Sequence, residues 1–181
     1  LSDCRYTEYT YDDTPGVWRP RLPRSERAVV LGALVQKRLH EISEFTQRTA
    51  DCLDLEAESV ETAGNLMTAR RYYQEPLTLR RQLQSVQFAD GTREAWFYTN
   101  HNGFQTNIVL RGEADPGNLT NVLSGTQTLT IRGSFGELLE RRVVDIGSGI
   151  VLEQSQYDYT DELLSSYQVT HLDQSVETFA Y

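Results

Sequence analysis

Turn signals recur at short, regular intervals through the C-terminal part of the chain, and this constrains the fold more than any other feature. Asp90-Gly91, Asn100-His101-Asn102-Gly103, Gly133-Ser134-Phe135-Gly136 and Gly147-Ser148-Gly149 punctuate stretches rich in β-branched and aromatic residues. Gly, Asn and Asp supply the left-handed backbone that tight hairpins need, so each signal reads as a reversal between two antiparallel strands. The strand segments are 93–99, 104–111, 127–132, 137–145, 150–157, 163–170 and 172–179, with a longer loop over 112–121. Ahead of them, Leu77, Leu79 and Leu83 fall at even spacings, and Val86 and Phe88 then change parity, which places a bulge near Ser85. About eight strands joined by short turns give an up-and-down antiparallel meander over residues 76–181. It either closes as a small barrel or stays a curved sheet.

The chain before Pro76 reads differently. Leu31, Leu34, Val35, Leu39, Ile42 and Phe45 recur at spacings of three and four, behind Ser25 as a cap and Glu26 in the first turn. That spacing predicts a helix over 25–49. Leu55, Val60, Ala63, Leu66 and Met67 predict a second over 54–73, with Gly64 costing it about 1 kcal/mol relative to Ala. Residues 1–23 read as an extended arm, because Pro15, Gly16, Pro20 and Pro23 forbid a regular helix. Within it, 6–11 has the β propensity to add a strand to a sheet. The expected fold is therefore α+β: one domain over 1–181, with an arm at 1–23, a helical part at 24–75 and the meander at 76–181. In the open form of the sheet, the two helices fill its concave face.

Composition narrows the partners. The 181 residues carry a formal charge of −9, and residues 145–181 hold seven carboxylates with no Lys or Arg. Such a field repels phosphate backbones, which argues against nucleic acid and anionic membrane surfaces. No stretch approaches the length of about 18 apolar residues that a helical membrane span needs. Three arginine clusters (Arg19/Arg21/Arg24/Arg27, Arg70/Arg71/Arg80/Arg81 and Arg141/Arg142) are the natural counter-charges, within the chain or across a subunit contact. Lys37 is the sole lysine.

Cys4 and Cys52 lie in no CxxC pair. In an oxidising compartment, one bridge between them closes a 49-residue loop, worth about 3–4 kcal/mol in the chain-entropy model. Asn118-Leu119-Thr120 is a glycosylation sequon in a turn-like stretch. An extracellular or virion setting accommodates both features. The chain opens on Leu1-Ser2-Asp3-Cys4, a weak fit to a lipoprotein cleavage site because of the Asp.

No pattern demands catalysis. His40, His101 and His171 are isolated from one another, and HExxH, HxH and CxxC are absent, so no metal or cofactor is expected. Gly147-Ser148-Gly149 reads as a hairpin turn and not as a phosphate loop, since a strand follows it. Asp12-Asp13 and Asp161-Glu162 read as solvated loop carboxylates. Trp96 and Tyr98 share one face of a strand, and with Phe104 and Tyr157 they are the candidate lining of a ligand cavity. Three functions follow in order of preference: a non-catalytic structural or assembly protein docking with other protein subunits, a small barrel carrying an apolar ligand, and an enzyme whose site joins His101 or His171 to a distant carboxylate and hydroxyl.

Overall fold

The computed structural model describes residues 5–11, 23–31, 33–64 and 67–181. The fold is all-β, and this corrects the α+β expectation. The chain divides into two compact units, Leu1–Gly91 and Thr92–Tyr181. Each is an antiparallel meander in which strands neighbour one another in chain order. Neither closes into a barrel, because the first and last strands of a unit do not pair with each other.

The first unit contains β1 (Arg5–Thr10), β2 (Ser25–Val30), β3 (Ala33–Ile42), β4 (Thr46–Asp51), β5 (Met67–Tyr72) and β6 (Leu83–Gln87). The segment expected as the helix over 25–49 is β2, β3 and β4. Leu31 adopts a φ of 51° between β2 and β3, which no helix interior accommodates. Ser43 and Thr46 close the next reversal, with the Ser43 N–H donating to the Thr46 carbonyl at 2.8 Å. The three-and-four spacing was misleading because the segment is rich in β-branched residues (Val29, Val30, Val35, Ile42, Thr46 and Thr49), which favour a pleated backbone. Of the supposed stripe only Leu39 is buried, while Leu31 is 68% and Val35 53% exposed. The second expected helix, over 54–73, is a run of turns followed by β5. Gly64 there has a φ of 100°, so it serves a reversal and does not weaken a helix. The turns lay Ala57, Val60 and Ala63 over Leu39 of β3 and Ala50 of β4, with Cys52 and Met67 packed alongside. Among the described residues, this is the cluster of buried apolar side chains in the first unit.

Residues 6–10 of the expected arm form most of β1, which pairs with β2 from Arg5↔Val30 to Thr10↔Ser25. Between Pro76 and β6, the even-spaced leucines Leu77 and Leu79 occupy a short 3-10 turn and no strand. Ser85 pairs with Arg71 while Leu83 pairs with Tyr72, so the extra residue of the bulge is Gln84. The Gly91 N–H donates to the Phe88 carbonyl at 3.2 Å, closing the turn at Asp90-Gly91.

The second unit is the part that the turn signals describe most closely. It comprises β7 (Thr92–His101), β8 (Phe104–Ala114), β9 (Val122–Arg132), β10 (Leu138–Asp145), β11 (Val151–Thr160), β12 (Leu163–His171) and β13 (Val176–Ala180). Asn102 and Gly103 have φ of 53° and 83°, the doubly left-handed turn that matches strand twist. Asp161 and Glu162 adopt the same sign, at 51° and 66°, without a glycine. Gly112 of β8 lies opposite Gly125 of β9. A Cβ on Gly125, whose φ is 123°, would lie 2.1 Å from the Arg111 carbonyl oxygen. Gly125→Ala is therefore expected to destabilise the second unit by about 3 kcal/mol or more, combining left-handed strain with a backbone clash. Urea unfolding measures this, and a change below about 1 kcal/mol would contradict the close approach.

Candidate functional site

The β11–β13 end of the second unit concentrates the features that bear on function. The register sets Tyr157 of β11 opposite Tyr167 of β12, and Tyr167 opposite Phe179 of β13. Direct cross-strand partners on one face lie close enough for their rings to meet. They do: the Tyr157–Tyr167 centroids are 5.7 Å apart at 21°, and the Tyr167–Phe179 centroids 4.5 Å apart at 12°. Tyr181 extends the stack, 6.3 Å from Tyr167. Each such pair contributes about 0.5–1.5 kcal/mol beyond area burial. Lost hydration raises the Tyr167 hydroxyl above the ordinary phenol range, helped by the neighbouring Tyr181. All five residues of β13 are exposed.

The turns at this end are braced by carboxylates. Asp145 Oδ1 accepts from the Ser148 N–H at 2.8 Å and the Ser148 hydroxyl at 2.6 Å. Asp173 Oδ1 accepts from the Ser175 N–H at 2.9 Å and hydroxyl at 2.6 Å. These bonds favour the ionised forms and hold both carboxyls below the usual range. Glu153 pairs with Arg141, as the counter-charge reading expected, whereas Arg142 pairs with Glu140, which lies outside the acidic 145–181 segment. Arg27 instead pairs with Glu8, and Arg80 with Glu44.

The four expected ligand-lining aromatics do not form one site. Trp96 and Tyr98 face one side of β7, opposite Val109 and Asn107. Phe104 begins β8 opposite His101 and, by alternation, lies on the other face with Phe97. Tyr157 stands on β11 in the ladder. Phe104 and Tyr157 nevertheless both border an open groove of about 440 Å³ across β8 to β12. Its other walls are Ile131, Leu139, Glu140, Gln156, Asp158 and Gln168. Four of these are polar, so the groove differs from the enclosed apolar interior that a ligand-carrying barrel would present.

Imidazole, carboxylate and hydroxyl meet at His40, which the sequence had placed on a helix, and not at His101 or His171. His40 Nε2 lies 3.2 Å from Glu26 Oε1, and Nδ1 lies 3.2 Å from Thr49 Oγ1. The three residues come from β2, β3 and β4, with His40 directly opposite Thr49. Beside them Arg38 Nε donates to Asp51 Oδ1 at 2.6 Å. The arrangement is a cross-strand polar lattice on one face of the sheet. A hollow of about 190 Å³ nearby is walled by His40 together with Arg24, Leu39, Glu41, Val60 and Glu61 among others. His171 Nε2 lies 3.6 Å from Glu177 Oε1 across a turn. His101 is exposed.

Cys52 is a free, half-buried thiol, and burial pushes it up from the ordinary thiol range. Its expected partner Cys4 lies outside the described residues, as do Asp12-Asp13 and Trp18. Asn118 is exposed in the 115–121 loop, and its Oδ1 accepts from the Thr120 N–H and hydroxyl, both at 3.0 Å. The loop is held from below by Arg93, only 4% exposed, whose Nη1 donates to the carbonyls of Asp115 and Asn121 at 2.9 and 3.0 Å and to that of Asn118. Among the described residues no group of His, Cys, Asp and Glu is placed to hold a metal ion, and no helix is long and apolar enough to cross a membrane.

The aromatic ladder escaped sequence reading, although a signal existed. Tyr157 and Tyr167 are nearly symmetric about Asp161-Glu162, and Tyr167 and Phe179 are symmetric about Asp173. No family model matches the chain, and no curated protein matches it.

Two outcomes follow. Arg93→Met removes the guanidinium donor that three carbonyls of the 115–121 loop share, leaving them only backbone N–H partners at 3.3 Å, and is expected to cost about 1–3 kcal/mol in denaturant unfolding. Asp145 and Asp173 have depressed folded values, so their contribution is complete above the unfolded value near 3.9 and is lost as pH falls through the folded value. In an acid titration followed by NMR, both carboxyls are expected to titrate below about 3.9, with the Ser148 and Ser175 amides shifting alongside. Midpoints at or above that value would contradict the bracing.

Proposed function

We propose that the protein is a non-catalytic structural component, a β-scaffold that works as a subunit of a larger assembly. The observation that carries this reading is the lack of a dry interior in the second unit. There the buried side chains are Arg93, Ala95, Val122 and Ser155, none of them a large apolar residue. Meanwhile Phe97, Phe104, Leu123, Leu163, Val176 and Phe179 are each at least 36% exposed. A sheet of seven strands with apolar side chains on open faces gains most when another surface covers them. Enzymes and carriers, by contrast, hold their chemistry in a concave, largely preformed site. The acidic 145–181 segment adds directionality, since it steers toward basic protein surfaces and away from phosphate-rich ones.

Light scattering on the native protein, with and without reductant, tests the proposal. A particle several times the 20.7 kDa chain mass is expected, and Cys52, half-buried with its thiol, should make no difference to it. A clean monomer that binds no hydrophobic dye would overturn the reading.

A further inference from the structure

Resting on that reading, we infer that the groove across β8 to β12 is a binding site for carbohydrate, a neutral chain of β-linked pyranose rings that covers this part of the open face.

The register builds the groove from one row of residues. Ile131 of β9 lies opposite Glu140 of β10, Glu140 opposite Gln156 of β11, and Gln156 opposite Gln168 of β12. Phe104 stands two residues before Thr106, the partner of Ile131, so alternation puts its ring on the same face. Asp158 follows Gln156 at the same parity. Leu139 is the extra residue of a bulge and borders the groove as well. The Tyr157 ring belongs to the ladder on the other face. Each of β8 to β12 has a strand bonded on both sides, so the site does not depend on a sheet edge.

The lining fits a polyol. Phe104 is 50% exposed, and with Ile131 and Leu139 it offers apolar area to the face of a sugar ring that carries C–H bonds. Gln156 and Gln168 are exposed, and among the described residues no side-chain hydrogen bond holds either amide. Each amide carries donors and an acceptor side by side, the two functions that neighbouring hydroxyls match. The carboxylates are held in place as acceptors. Glu140 Oε1 accepts from Gln154 Nε2 at 3.1 Å, with Arg142 Nε 3.6 Å away. Asp158 Oδ2 accepts from the Ser166 hydroxyl at 3.1 Å. Each keeps lone pairs for a ligand hydroxyl. Other ligand classes fit less well. An apolar molecule would desolvate four polar side chains without pairing them. An anion would meet two carboxylates. A basic segment would find Glu140 already paired with Arg142. The volume of about 440 Å³ falls among small-molecule clefts, and the open walls let a chain run through.

The test is an NMR titration of the whole isolated chain with two β-linked probes. One is cellotetraose, a polysaccharide fragment, and the other is asparagine-linked diacetylchitobiose, the core of a protein-linked glycan. At least one is expected to bind with a Kd of about 5 mM or tighter and to shift the side-chain amide signals of Gln156 and Gln168. Whichever binds more tightly gives the source of the carbohydrate. Phe104→Ala should weaken binding at least about tenfold, and Phe104→Trp should preserve it. Gln168→Leu should weaken it at least about fivefold by removing one amide. Unchanged β12 backbone shifts in these variants confirm that the sheet folds. Raising salt to about 0.5 M should leave the affinity unchanged, because the ligand is neutral. No shift with either probe, full binding by folded Phe104→Ala and Gln168→Leu, or tighter, salt-sensitive binding of acetyl-Arg-Tyr-Arg-amide would overturn the carbohydrate site. All of these readings are made on the isolated chain, so they leave the particle mass to test the structural role separately.

Discussion

Backbone pairing between strands that are neighbours in sequence is the interaction on which everything else depends. Within each unit every strand bonds to the one before it, across a connection that is usually only a few residues long. The ladder satisfies the backbone groups as the chain proceeds and needs no crossover, helix or central core to do so. This explains why so much apolar surface can remain exposed. The strands are specified by their turns and cross-strand pairs, and loops that fold back add burial to them. The 53–64 turns do this over Leu39 and Ala50 in the first unit. The buried Arg93 does it with charge and hydrogen bonds beneath the 115–121 loop in the second.

How much of this was legible depended on the kind of signal. Glycine and Asn or Asp pairs carry a backbone preference of their own, and they marked the reversals at Asp90-Gly91, Asn102-Gly103 and 133–136 correctly. The strands that they bound followed. Apolar spacing alone carries no such preference, and in 25–49 it pointed to a helix because Leu34, Leu39 and Ile42 happen to lie three to five apart. The decisive contrary evidence was in the same residues: the β-branched content, and Gly32 directly after Leu31 as an unused turn signal. Gly64 was read as a flaw in a helix, when its positive φ is what lets the chain turn.

The candidate site was legible only in fragments. Phe104 and Tyr157 do border a common groove, but alternation puts Phe104 on the other face from Trp96 and Tyr98, and strand order puts Tyr157 on β11, away from β7. The aromatic ladder needed pairwise register, which sequence supplies only when one looks for aromatics symmetric about a turn. The imidazole–carboxylate–hydroxyl contact at His40 was hidden for a simpler reason: on a helix Glu26, His40 and Thr49 would not meet, whereas on three adjacent strands they must.

The uncovered apolar surface carries the proposal that the sheet is one component of an assembly, and side-chain footprinting with hydroxyl radicals tests that proposal most directly. Phe97, Phe104, Phe179 and Tyr181 would be compared in the isolated chain and in the native particle. The account predicts severalfold slower oxidation of these residues in the particle, with the core residues Leu39 and Val60 slow in both. Equal rates in the two samples would contradict it, because the faces would then stay open to water wherever the protein acts.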